Sequence, residues 1–114
     1  MSFGGIALGA HGERLAARWY QQAGYQVVAR NWRCELGEID LLVRRGNELV
    51  VAEVKTRATD RFGIPAYAVN HTKQRKLRAL ARAFLATRED YFDEVRFDVV
   101  SITGRDVEVI EAAF

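Results

Sequence analysis

The 114-residue sequence predicts an α/β domain, a mixed central sheet flanked by helices. Three observations carry that expectation. Residues 12–23 and 70–88 repeat apolar side chains at three- and four-residue spacings, the period of a helix buried on one face. Shorter runs rich in Val, Ile and Leu surround them, and two of these runs are separated only by Gly46-Asn47, a two-residue hairpin turn. The resulting order of helix, three strands, helix and two strands fits a sheet of mixed direction covered by helices.

From about Gly12 to Ala23 the segment ERLAARWYQQA places Leu15, Ala16, Trp19, Tyr20 and Ala23 on one face, and Gly24 supplies a C-terminal stop. YQVVAR reads as a short strand and NWRCELG as a loop. The hairpin GEIDLLVRRGNELVVAEVKTR, Gly37 to Arg57, follows. TDRFGIPAYAV, with the only proline, reads as an irregular connection. Asn70 can cap a second helix running to about Arg88, with Leu77, Leu80, Ala81, Phe84 and Leu85 as its apolar stripe. VRFDVVSI and VEVIEAA form two strands joined through Thr103-Gly104-Arg105-Asp106.

A composition of 49% apolar and 28% charged residues suits one globular domain over residues 1–114, with residues 1–11 expected to be its flexible part. No stretch approaches the roughly 18 consecutive apolar residues of a membrane span, and the N-terminus lacks the basic and apolar regions of a signal peptide. A cytoplasmic protein without membrane association is expected. Cys34 is the only cysteine, which excludes an intrachain disulfide and a thiolate metal cluster. Charge is unevenly spread: Lys55 to Arg88 holds nine Lys or Arg against Asp60 alone, a net +8, and the remainder is −6. Such asymmetry points to a polyanion-facing side, with a merely solvated basic helix as the alternative.

The hairpin carries the chemistry. A two-residue turn at Gly46-Asn47 pairs Val43 with Val50, Leu41 with Ala52 and Ile39 with Val54 on an apolar face. On the other face it sets Asp40 against Glu53 and Glu38 against Lys55. Like charges directly across a strand pair lie about 5 Å apart and repel. A hard divalent cation would compensate them, since Mg²⁺ takes one or two carboxylates plus water and phosphate oxygens. The competing reading is that Glu38 pairs with Lys55 and the two acids are solvated at the sheet end.

Asp40 followed by Glu53-Val54-Lys55 resembles the D…(D/E)XK signature of the PD-(D/E)XK, or restriction-endonuclease-like, superfamily. The words GERLAARWYQQAGYQVVARNWRCELGEIDLLV, VVAEVKTR, FGIPAYAV and RFDVVSI are similar, over nearly the whole chain, to the YraN family of Holliday-junction-resolvase-related proteins. That resemblance implies a restriction-endonuclease-like αβββαβ core. It implies Asp40 and Glu53 as metal-binding acids, joined by the Val54 carbonyl, and Lys55 as the motif lysine. It also assigns Glu13 to the additional acid of archaeal-type junction resolvases, although the helix dipole, at about 0.3 to 1 kcal/mol, is a sufficient structural reason for an acid there.

The resemblance implies a metal-dependent DNA endonuclease, acting on branched or junction DNA, with Mg²⁺ or Mn²⁺ as cofactor. The rival is a nucleic-acid-binding or interaction module that keeps the fold without cleaving. Lys73, Arg75, Lys76 and Arg78 on the second helix, extended by Arg57 and Arg61, would hold the nucleic-acid backbone. For Tyr67, Lys73 and Arg75, which lie near the segment that would face substrate, phosphate contact and simple solvation are both reasonable readings. Asp98 reads as a strand-edge residue, with support of the acids as its alternative. A homodimer is expected from the resemblance alone, since junction resolvases cut two strands symmetrically.

Overall fold

The structure, a computed structural model, describes residues 2–57 and 69–114, with side chains from residue 9 onward. Helix α1 spans Ser2–Gln22 and starts well before Gly12, where the apolar spacing begins. Glycines at 4, 5, 9 and 12 hide the early turns from propensity, because each costs about 1 kcal/mol against alanine in a helix. Its end is as predicted: the Ala23 amide donates back to Trp19 and Tyr20, and Gly24 adopts a left-handed φ of +93°.

Strand β1 spans Gln26–Cys34, so most of the NWRCELG segment is strand and only Glu35-Leu36 forms a turn, between the paired Cys34 and Gly37. The correction has a packing reason. Trp32 meets Phe84 edge-on at 5.4 Å, and Arg33 pairs with Glu38, which binds the segment into the sheet. Its signal was masked by Asn31, which sits at φ +50° between the pairs Arg30↔Leu41 and Trp32↔Ile39.

Strands β2, Gly37–Arg45, and β3, Glu48–Arg57, form the hairpin in the register the Gly46-Asn47 turn requires, from Arg45↔Glu48 to Leu41↔Ala52. Helix α2, His71–Ala86, is capped by Asn70, whose side chain accepts the Lys73 amide at 2.9 Å. Strand β4, Glu94–Thr103, runs parallel to β3, and β5, Asp106–Ile110, pairs antiparallel with β4. The sheet order is β1-β2-β3-β4-β5. This is an α/β fold with a mixed sheet, compatible with a restriction-endonuclease-like core.

The helices cover opposite faces. On one, Ala16, Ala17 and Tyr20 of α1 pack on Leu41, Val43, Val50, Ala52, Val100 and Ile102. On the other, Leu77, Leu80, Ala81 and Phe84 of α2 pack on Leu42, Leu49, Val51, Phe97 and Val99. The predicted apolar stripe of α2 is thus its buried face.

Asp98 is not an edge residue. It lies on interior strand β4 with no solvent exposure and accepts from Tyr20 Oη at 2.6 Å, from Arg96 Nε and Nη2 at 2.9 Å each, and from the Ala112 amide at 3.0 Å. Every buried carboxylate needs such partners, because an unpaired one costs several kcal/mol. Burial, with the Asp98 bond adding to it, pushes the Tyr20 phenol far up, and the same carboxylate raises the Arg96 guanidinium. The network ties α1, β4 and the C-terminal segment together and is structural.

Candidate metal and phosphodiester site

The hairpin that begins with paired strands ends as a fork. Beyond Leu41↔Ala52 the Val54 amide donates to Asp40 Oδ2 at 2.8 Å, so a side chain takes a donor that a regular ladder would give to a backbone carbonyl. Past this point β2 continues with β1 as far as Cys34↔Gly37, and β3 continues with β4 as far as Arg57↔Thr103. Ile39 and Val54, expected to face each other on one apolar side, pack instead on opposite sides of the sheet, Ile39 under α2 and Val54 under α1. The alternation of side chains breaks next to Asp40, where Asn31 on the neighbouring strand leaves the normal strand conformation.

The fork also separates Glu38 from Lys55. The expected pair between them does not form. Glu38 accepts from Arg33 Nε at 2.7 Å, its direct cross-strand neighbour in β1, and Lys55 turns to Glu53 at 3.5 Å.

Asp40 and Glu53 do come together. Glu53 is 4% exposed, which makes its charge costly without partners. Its Oε2 meets Lys73 Nζ at 3.0 Å and Lys55 Nζ at 3.5 Å. Burial pushes the Asp40 carboxyl up to about 7, helped by the Glu53 charge and by their mutual hydrogen bond, opposed by the Val54 amide, and reinforced by Glu13. Burial also works to raise the Glu53 carboxyl. Hydrogen bonds with Asp40 and Lys73, and the charges of Lys73 and Lys55, outweigh it and hold Glu53 below the usual carboxylate range. Below about pH 7 the pair therefore holds a proton on Asp40 beside an ionised Glu53, and it loses that proton as pH rises through 7.

Glu13 reaches this neighbourhood because Gly12 lets α1 lie against β3. A Cβ at Gly12 would collide with the Thr56 hydroxyl, so only glycine permits the approach. Glu13 acts on Asp40 as a nearby negative charge. Among the described residues no three His, Cys, Asp or Glu side chains form a metal-holding cluster. The donor set is thus the Asp40 and Glu53 carboxylates, with Val54 between Glu53 and Lys55. That set fits a hard cation that completes its shell with water and substrate oxygens rather than a cage built wholly of protein. Such an ion would displace the Asp40 proton and loosen the lysines from Glu53.

The basic residues assigned to backbone contact fall into different environments. Lys73, in the first turn of α2, is drawn into the acid pair, a role that its position three residues after the capping Asn70 makes geometrically natural. Arg75 is exposed and reaches Thr72 Oγ1 at 3.5 Å, and Lys76 is exposed with its stem close to Gly37. Arg78 stacks over the Phe97 and Phe114 rings at 4.8 and 5.5 Å, which commits it to the C-terminal segment. Arg57 closes β3, partly buried, at the site end. Arg61 and Tyr67 lie outside the described residues. No described helix is long and apolar enough to cross a membrane.

The comparisons agree with the resemblance seen in the sequence. A model of the uncharacterised protein family UPF0102 matches residues 12–102. A UPF0102 protein of Nocardia farcinica is 51% identical over 84% of this chain and 76% of its own length. One of Rhodococcus opacus is 50% identical over 85% and 82%, and one of Thermodesulfovibrio yellowstonii 42% identical over 96% of both chains.

Proposed function

The chain belongs to the uncharacterised family UPF0102, the YraN family, and we propose that it is a divalent-metal-dependent phosphodiesterase acting on nucleic acid, with DNA, including branched DNA, as substrate. The observation that carries this reading is the convergence of Asp40, Glu53 and Lys55 at the hairpin fork. With Glu53 buried and Asp40 half-buried beside it, two carboxylates held this close cost stability in the absence of a cation, an arrangement characteristic of functional sites.

Asp40, Glu53 and the Val54 carbonyl, with Glu13 beside them, would hold Mg²⁺ or Mn²⁺, which when bound supplies Lewis-acid stabilisation of charge on the phosphoryl oxygens. The chain's own groups do the rest. Lys55, partly exposed and anchored by Glu53, orients the attacking water and holds positive charge near the reacting phosphorus. Lys73 keeps Glu53 ionised before substrate arrives. Arg57, Arg75 and Lys76, with Arg61, position the backbone without reading sequence. A cytoplasmic location and a homodimer complete the proposal, and sedimentation at micromolar concentration, with and without DNA, tests the second.

The two lysines on Glu53 also support the rival reading, a nucleic-acid-binding module that does not cleave, because they balance that charge without a metal. One experiment separates the two. Nuclease-free protein is incubated with single-stranded, duplex, flap and four-way DNA in Mg²⁺ or Mn²⁺. Cleavage lost in Asp40→Ala and Lys55→Ala with binding retained supports the hydrolase; no cleavage of any substrate moves the assignment to the binding module.

A further inference from the structure

A second cluster of positive charge lies on the side of the sheet opposite α2. His11, Arg14, Leu15 and Arg18 share one face of α1 at helical spacing, and Arg105 approaches them from the β4–β5 turn. Together they line a cavity of about 370 Å³, within the size range of small-ligand sites at about 300–1,000 Å³. The arrangement is held in place: His11 Nε2–H donates to the Gly104 carbonyl at 2.9 Å, locking the turn that carries Arg105 onto α1. Among the described residues no carboxylate lines the cavity, and the guanidiniums of Arg14, Arg18 and Arg105 have no hydrogen-bond or ion-pair partner. Three exposed guanidiniums facing one space without a carboxylate among its lining residues make a positive patch to which an anion is attracted.

Position relates the cavity to the acids. Lys55 pairs with Ser101 and Arg57 with Thr103, so the Gly104-Arg105 turn projects from the same end of the sheet as Glu53 and Lys55. On α1, His11 and Arg14 flank Gly12, which touches Thr56, and Glu13, which acts on Asp40. From His11 to Arg18 the helix advances roughly 10 Å, longer than one phosphate group and suited to neighbouring phosphates of a single strand.

We propose that His11, Arg14, Arg18 and Arg105 form a phosphate-binding pocket that holds the nucleic-acid backbone on the α1 side of the acid pair. The backbone would then be gripped from both sides of the fork, by α1 and the β4–β5 turn on one and by the start of α2 on the other. The pocket takes its polyanion from the nuclease reading and rests on it for that identity. Guanidinium groups suit this role because their fork geometry matches phosphate oxygens.

The test is fluorescence anisotropy with labelled duplex and four-way DNA on the full chain in EDTA, over about 50 to 200 mM salt. The triple variant Arg14→Gln, Arg18→Gln, Arg105→Gln is expected to flatten the log-affinity against log-salt slope by about 2 to 3, at roughly 0.9 per duplex phosphate released, and to weaken binding tenfold or more. Arg105→Gln alone, in an exposed turn where folding is not at stake, is expected to flatten it by about 1. Unchanged slopes in both variants overturn the proposal, as does wild-type protein that binds no nucleic acid. Titration with inorganic pyrophosphate identifies a small-anion pocket: pyrophosphate binding that the variants lose while the DNA slope stays at its wild-type value also overturns it. Cleavage is read separately in Mn²⁺. Pocket-dependent binding without cleavage sinks the hydrolase reading and leaves the pocket standing.

Discussion

The Val54 amide donates to the Asp40 carboxylate at 2.8 Å, and this one bond marks where β2 and β3 stop being a hairpin and become the two arms of a fork. It holds half-buried Asp40 next to buried Glu53, a proximity that costs stability once both are ionised, and the sign of that cost can be measured.

Asp40→Asn should make the metal-free protein more stable above neutral pH. The Asp40 carboxyl rises from 3.8 to about 7 on folding, so between those values the native state binds more proton than the unfolded state and stability falls as pH rises. Asparagine can still accept the Val54 amide and donate to Glu53, yet never ionises. Urea denaturation in EDTA should find the variant equal to wild type near pH 4 and ahead by about 1–3 kcal/mol at pH 8. A difference that does not grow with pH contradicts the shared-proton picture.

Mn²⁺ should stabilise the wild-type chain, by about 2.7 kcal/mol at 100 times its Kd, and leave Asp40→Ala unmoved. Because the ion must displace the Asp40 proton, apparent affinity should strengthen as pH rises through about 7. Calorimetric titration at pH 6 and pH 8 reads the change directly, and equal affinities would speak against Asp40 as a ligand.

Lys73→Met removes the shorter of the two ion pairs to buried Glu53 and should destabilise the metal-free protein by about 1–3 kcal/mol. Mn²⁺ should then recover more stability than it adds to wild type, since the cation replaces the missing charge. Thermal melts of both proteins with and without Mn²⁺ supply the comparison; a smaller metal gain in the variant would make Lys73 a helper of metal binding instead.

Gly12→Ala should destabilise although alanine is the better helix former, because its Cβ meets Thr56. Thr56→Ala should restore most of the loss, which a double-mutant cycle of melting temperatures would quantify. Without that recovery, the close approach of α1 to β3 is not what requires the glycine.

Asp98→Ala should cost on the order of 3 kcal/mol or more, leaving Arg96 and Tyr20 without their buried partner. A fraction of protein that still folds should keep the wild-type response to Mn²⁺ as followed by melting, since Asp98 belongs to the scaffold.

Local chemistry made much of this legible in the sequence. Gly46-Asn47 determined the hairpin register down to Leu41↔Ala52, Asn70 determined where α2 begins, and the period of Leu77, Leu80, Ala81 and Phe84 determined its buried face. Each depends on residues a few positions apart, whose energies do not wait on the rest of the chain. The same arithmetic anticipated that the Asp40 and Glu53 side chains meet, but the backbone pairing stops one step short of them and the Val54 amide on Asp40 holds them together instead. Whether Glu38 would meet Lys55 or Arg33 was settled by β1, which competes for β2, and by β4, which holds β3. Tertiary structure alone joined Lys73 to Glu53 and brought His11 to Gly104 across 93 positions, setting Arg105 beside Arg14 and Arg18 in the part of the chain whose summed charge is negative. Net charge along a sequence averages over residues that folding separates, whereas binding depends on the few that packing gathers at one end of a sheet.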